Sequence, residues 1–202
     1  MKEQVKRIAE EYMDRWIELL NSGLEDEEFC RREDQLNMEL IGKLNALGLK
    51  AEIVNDFDCN NYFNAPGYPR AYNFYEIFGV LASAHDLKEK KTYIIHVEYV
   101  EAQYPSYTKY SLKSVDVEEI PLINEEDTPF TAKLIGNIPW MYIRPLWRGN
   151  IISMIIKLAQ AEYEGRLKEA IEDIQAKLKA GAWIYDYQHM LSALEKTLQE
   201  QP

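Results

Sequence analysis

Cysteine is nearly missing from this chain: Cys30 and Cys59 are the only two among 202 residues. A small secreted domain stapled by disulfides carries more of them and closer together, so both are expected to be reduced in an intracellular protein. No Asn-x-Ser/Thr glycosylation acceptor is present either. Histidine is equally sparse, and His85, His96 and His189 lack the spacing of metal ligands. There is no glycine-rich phosphate loop. Long apolar runs are missing too. The longest, Ile151–Ile156, is interrupted by Ser153, and Met1–Lys6 is charged at once with no apolar segment behind it. These absences exclude a membrane span and a secretory leader from the reading, and they point to the cytoplasm as the expected location.

Positive charge is short as well. The formal net charge is −11, with 8 basic against 12 acidic residues in 1–50, 9 against 14 in 51–148 and 6 against 8 in 149–202. No segment is a basic patch, so direct binding to nucleic acid is disfavoured and a partner with a basic surface is the better match. Solubility alone also accounts for such a charge.

What the chain does have is tyrosine. Nine of its fourteen tyrosines fall between Tyr62 and Tyr110, a stretch flanked on both sides by helical patterns. Val5, Ile8, Tyr12, Trp16 and Leu19 recur at three- and four-residue spacing and predict a helix from Lys2 to Leu20, stopped by Gly23. The acidic run Glu25–Glu28 opens a second helix, whose stripe Phe29, Leu36, Leu40, Leu44 and Leu47 ends at Gly48. The short link makes the two an antiparallel hairpin over residues 1–48.

The period then changes to two. A strand is predicted from Leu49, followed by a long loop from Asp56 through Pro69 whose asparagines, prolines and glycine favour turns. Further strands are expected at Tyr72–Leu81, Thr92–Ala102 and Lys109–Val117, joined by a solvated connector at Ser83–Lys91 and a turn at Pro105–Ser106. One or two short strands are read into Phe130–Ile143. The helical period returns at Asn150 and runs to Gly181 with a break at Gly165, and a last helix starts at Asp186 as its N-cap. The expected fold is α+β in one domain. It has an antiparallel meander of four to five strands at 49–148, packed by the N-terminal hairpin and by C-terminal helices from 149–202. Alternatively, one helical pair projects as a homodimerisation arm.

Four groups of residues are candidates for function. Trp140, Arg144, Trp147 and Arg148 stand just before a helix start, where backbone N–H groups and guanidinium forks favour an anion and the rings favour a flat, nucleotide-like compound. The simpler reading puts the tryptophans in the core and the arginines over apolar surface. His96 and Glu98 share one face of a strand, and Cys59 would complete a nucleophile–base pair if folding brought it close. Asp56, Asp58, Glu76 and Glu98 offer oxygen ligands to a divalent metal in a hydrolase, although an acidic chain makes such clusters by chance. Finally, Tyr62, Tyr68, Tyr104 and Tyr107 fall in predicted loops beside prolines, where strand propensity does not account for them and rigid rings anchor a partner. An acidic edge at Asp116–Asp127 would face a basic surface.

No residue is assigned a catalytic or metal-binding role, and no cofactor is expected. The leading expectation is a non-enzymatic interaction protein, an adaptor or an inhibitor of a larger assembly. An acidic blocker of a nucleic-acid-binding surface, of the kind phages and mobile elements encode, is one version of it. The alternatives are a small-molecule site at Arg144 and Arg148 and a metal-dependent hydrolase.

Overall fold

The computed structural model describes residues 1–63, 65, 67–144 and 146–201, and the backbone of residue 145. Among the described residues six helices accompany a four-stranded antiparallel sheet, an α+β fold. The chain divides into two compact units, Met1–Glu119 and Ile120–Pro202.

In the first unit, α1 (Lys2–Leu20) and α2 (Asp26–Ala46) form the expected hairpin. Both bury one stripe, Val5, Ala9, Tyr12 and Met13 on α1 and Leu36, Leu40 and Leu44 on α2. Ion pairs Arg15–Glu39 and Lys43–Glu11 clip the exposed flanks of the hairpin. Below them, Tyr12 donates its hydroxyl to Asn37 at 2.7 Å and the Trp16 indole donates to Glu33 at 3.0 Å. Because surface pairs contribute only about 0–1 kcal/mol, the buried leucines hold the hairpin.

The strands β1 (Lys50–Tyr62), β2 (Asn73–Asp86), β3 (Lys91–Tyr104) and β4 (Tyr107–Pro121) lie side by side in chain order. Alternation divides their residues between two faces. On one face Ile53, Ala82, Ile95 and Val97 meet α1 and α2 in the main core. Two irregularities sit together, one in β1 between Ile53 and Asp56 and one in β2 between Val80 and Ala82. Leu81, the extra residue of β2, is buried in the main core. Gly79 lies beside them because a Cβ there would come within 2.1 Å of the Asp56 carbonyl oxygen.

Two expectations about strands are corrected. The segment Asp56–Tyr62, predicted as loop, continues β1, since pairing with Phe74–Val80 satisfies its backbone and overrides the turn preference of its Asp and Asn residues. The connector predicted at Ser83–Lys91 shrinks to a four-residue turn at 87–90, because the Asp86 carboxylate accepts the N–H groups of Lys88 and Glu89 and closes it early.

The second unit is helical. The strands expected within Phe130–Ile143 are instead α3 (Pro129–Asn137) and a 3-10 turn at Trp140–Tyr142. Pro129 suits the first helical position, and the Glu162 carboxylate, reaching over from α4 (Pro145–Tyr163), accepts Phe130 N–H at 2.8 Å and Thr131 N–H at 2.9 Å. Its acceptance of the Thr131 hydroxyl at 2.7 Å completes the clamp. That cap lies outside any local window of sequence.

α4 begins five residues before Asn150, again on a proline. Gly165, at φ 74°, separates it from α5 (Leu167–Ala180), a conformation that suits a residue without Cβ. The last helix, α6, covers Tyr185–Gln199. Asp186 is not its N-cap; Ile184 holds that place, and the Asp186 side chain is fully buried. Phe130, Leu134, Ile151, Leu158, Ile174, Leu178 and Met190 make this unit's core.

Candidate functional site: the aromatic tip of the sheet

Antiparallel pairing sends the β1–β2 loop and the β3–β4 turn out of the same end of the sheet. The last pairs there are Tyr62 with Phe74 and Asn73 with Gln103. The four tyrosines singled out from the sequence therefore converge. They do not all sit in loops, as expected: Tyr62, Tyr104 and Tyr107 are strand ends, and only Tyr68 is in a loop.

Beneath them is a small separate core of Ala71, Phe74, Val100 and Ala102, against which Tyr68 and Tyr104 pack. By the alternation of β2 and β3 it lies on the face opposite the helical hairpin. Tyr68 tilts onto Phe74 with ring centroids 4.7 Å apart, and Tyr104 stacks on Tyr107 at 4.6 Å with planes 14° apart. Tyr68 and Tyr104 are thus half-buried supports. The exposed rings are Tyr62 (44%), Phe63 (73%), Tyr72 (55%) and Tyr107 (58%). Phe63 was not among the residues picked from the sequence, and Tyr72 was counted there only within the tyrosine-rich stretch; the two are the first and last residues of the β1–β2 loop.

Next to the tip, the Lys113 ammonium lies between two carboxylates, donating to Glu76 and, at 2.6 Å, to Glu98. The Lys113 contact holds the Glu76 carboxyl below the usual carboxylate range, and the two carboxylates raise the lysine in turn. Asp56, Asp58, Glu76 and Glu98 share one sheet face, as the metal reading requires, since Asp58 pairs with Phe78 and Phe78 with Glu98. Yet a lysine, not a vacant position, stands between the last two. Among the described residues no three His, Cys, Asp or Glu side chains are grouped to hold a metal ion.

Cys59 and His96 do not come together. Cys59 pairs with Ile77 and so with Tyr99, on the hairpin side of the sheet, whereas His96 pairs with Val80 on the other. His96 meets Glu118 at 3.2 Å rather than Glu98. The acidic edge is partly neutralised at home: Asp116 pairs with Lys6 at 3.2 Å and Glu119 with Lys91 at 2.6 Å.

In the second unit, the start of α4 carries the arginine–tryptophan group. Arg144 is its N-cap, and the position expected for an external anion is taken by Asp186, which accepts the Arg144 N–H at 3.0 Å and lies 3.4 Å from its guanidinium Nε. Trp147 packs edge-on against Tyr187 at 5.4 Å, and Trp140 is half-buried on the core. Arg148 lies one turn into α4. Tyr142 stacks over His189 at 5.7 Å while Tyr185 meets the same ring edge-on at 4.2 Å. Met141, Leu146 and Trp183 (82%) are exposed. Trp183, a large ring on the short link between α5 and α6, is a further residue sequence reasoning passed over.

No helix among the described residues is long and apolar enough to cross a membrane. Comparison with protein-family models, with curated proteins and with solved structures gives no match. The fold class is α+β, and the site is defined by its geometry alone.

Proposed function

We propose that this protein is a non-enzymatic interaction module that presents the aromatic tip of its sheet to a protein partner with a basic surface. The observation that carries the reading is that Tyr62, Phe63, Tyr72 and Tyr107, all exposed, lie at one end of the sheet, where Tyr62 and Tyr107 neighbour rings of a small packed base. Interface energy concentrates in a few large anchors, and rings held in place by stacking lose little entropy on binding. The unit that carries the tip has 23 acidic and 14 basic residues, a field that would steer a basic partner. Two features weigh against the alternatives: Asp186 already faces Arg144, and Lys113 already stands between Glu76 and Glu98.

The test is capture of partners from source-cell lysate at low and moderate salt, read by mass spectrometry, with Tyr72→Ala/Tyr107→Ala as the comparison. One stoichiometric partner, weakened by salt and reduced at least tenfold by the double substitution, is expected, because two anchors at about 1 kcal/mol or more each account for that loss. Capture that ignores both salt and the substitutions would sink the proposal.

A further inference from the structure

A second site lies in the first unit, on the hairpin side of the sheet and away from the tip. A cavity of about 230 Å³ is enclosed by Tyr12 and Trp16 of α1, Glu33 of α2, and Asn55, Phe57 and Tyr99 of the sheet. The irregularity in β1 shapes it. Asn55, at φ 48° and exposed, lies within the register shift and interrupts the alternation of β1 at the cavity's edge.

The walls are largely aromatic, and two of the rings stand nearly perpendicular to Tyr99. Trp16 meets Tyr99 at 5.2 Å and 80°, and Phe57 meets Tyr99 at 6.2 Å and 83°, so Tyr99 forms a corner with each. One carboxylate completes the lining. Glu33 Oε1 accepts the Trp16 indole N–H at 3.0 Å, and no Lys, Arg or His forms an ion pair with Glu33 among the described residues. The Glu33 charge is felt inside: it adds to burial in raising the Tyr12 phenol, and burial with neighbouring carboxylates pushes Tyr99 up to about 12.

We propose that this cavity binds a quaternary or fully methylated ammonium group. Ring faces attract a cation through their quadrupoles, most strongly when it sheds little hydration on entry. A methylated ammonium meets that condition, and an uncompensated carboxylate beside the rings adds charge complementarity. A hard metal ion is unsuited, because it needs six or more oxygen ligands and the cavity offers one carboxylate. The volume falls below the roughly 300–1,000 Å³ of pockets for drug-sized ligands, which fits a head group rather than a nucleotide. The inference does not depend on the interaction role of the sheet tip.

Calorimetric titration of the whole protein with choline, with a trimethyllysine peptide and with 3,3-dimethylbutanol, the neutral carbon analogue of choline, tests it. Saturable binding of choline or of the peptide, at least tenfold tighter than the neutral alcohol, is the expected result, and the tighter of the two identifies the source of the ammonium group. Glu33→Gln keeps an acceptor for the Trp16 indole and should weaken binding roughly tenfold. Phe57→Leu keeps the wall apolar but removes a ring and should do the same, with circular dichroism confirming that both variants are folded. Absence of choline and peptide binding at tens of millimolar, equal binding of the neutral alcohol, or full binding by folded Glu33→Gln and Phe57→Leu would overturn the proposal.

Discussion

Tyrosine does opposite work at the two ends of one sheet. Where α1 and α2 pack, Tyr12, Tyr93 and Tyr99 are buried and belong to the main core. Beyond the main core, Tyr62, Tyr72 and Tyr107 stand exposed, and among the described residues a small cluster of Ala71, Phe74, Val100 and Ala102 is buried beneath that end. The strands are continuous between the two, so strand propensity is the same. What differs is whether a second layer covers the ring. At the covered end a tyrosine stabilises by removing area from water; at the open end the same area is available to another molecule.

That contrast can be broken at three strengths. Ile95→Ala, at a position with no exposure in the main core, should lower unfolding free energy by about 2–5 kcal/mol in a urea titration. An unchanged midpoint would mean that the hairpin does not hold the sheet. A smaller effect is expected midway, at Lys113. Because the folded state holds Glu76 below the usual carboxylate range, its contribution is present above the unfolded pKa, in the pH 4–5 region, and is lost as pH falls through the lower folded value. Lys113→Met should bring Glu76 back up in an NMR titration and flatten the acid side of the stability profile; a Glu76 titration identical in both proteins would refute the bridge. Smallest of all, Tyr107→Ser at the open end should leave stability within about 0.5 kcal/mol. A loss well above 1 kcal/mol would assign Tyr107 to the structural base instead of the exposed surface.

The helices of the first unit were legible because their apolar residues repeat without interruption: α1 has the predicted span and α2 starts one residue from the acidic run that signals it. Local rules failed where a distant partner decides. Asp56–Tyr62 reads as loop until β2 pairs with it, and Phe130–Ile143 reads as strand until Glu162 caps α3. The same divide runs through the site. That Tyr62, Tyr68, Tyr104 and Tyr107 belong together was visible as a compositional excess, but their sorting into supports and exposed rings depends on strand pairing and on what packs beneath them. Lys113 joins Glu76 and Glu98 only once three strands align, and Asp186 looks like a helix cap until Arg144 is placed beside it. The cavity walls come from positions 12 to 99, and no spacing rule connects them.

The Glu162 clamp sets an order of events during synthesis. α3 leaves the ribosome first, yet the carboxylate that satisfies its leading N–H groups lies 31 and 32 residues later in the chain. A nine-residue helix without that cap is too short to persist in water on its own. As nascent chain α3 therefore lacks its N-terminal cap until the far end of α4 has emerged.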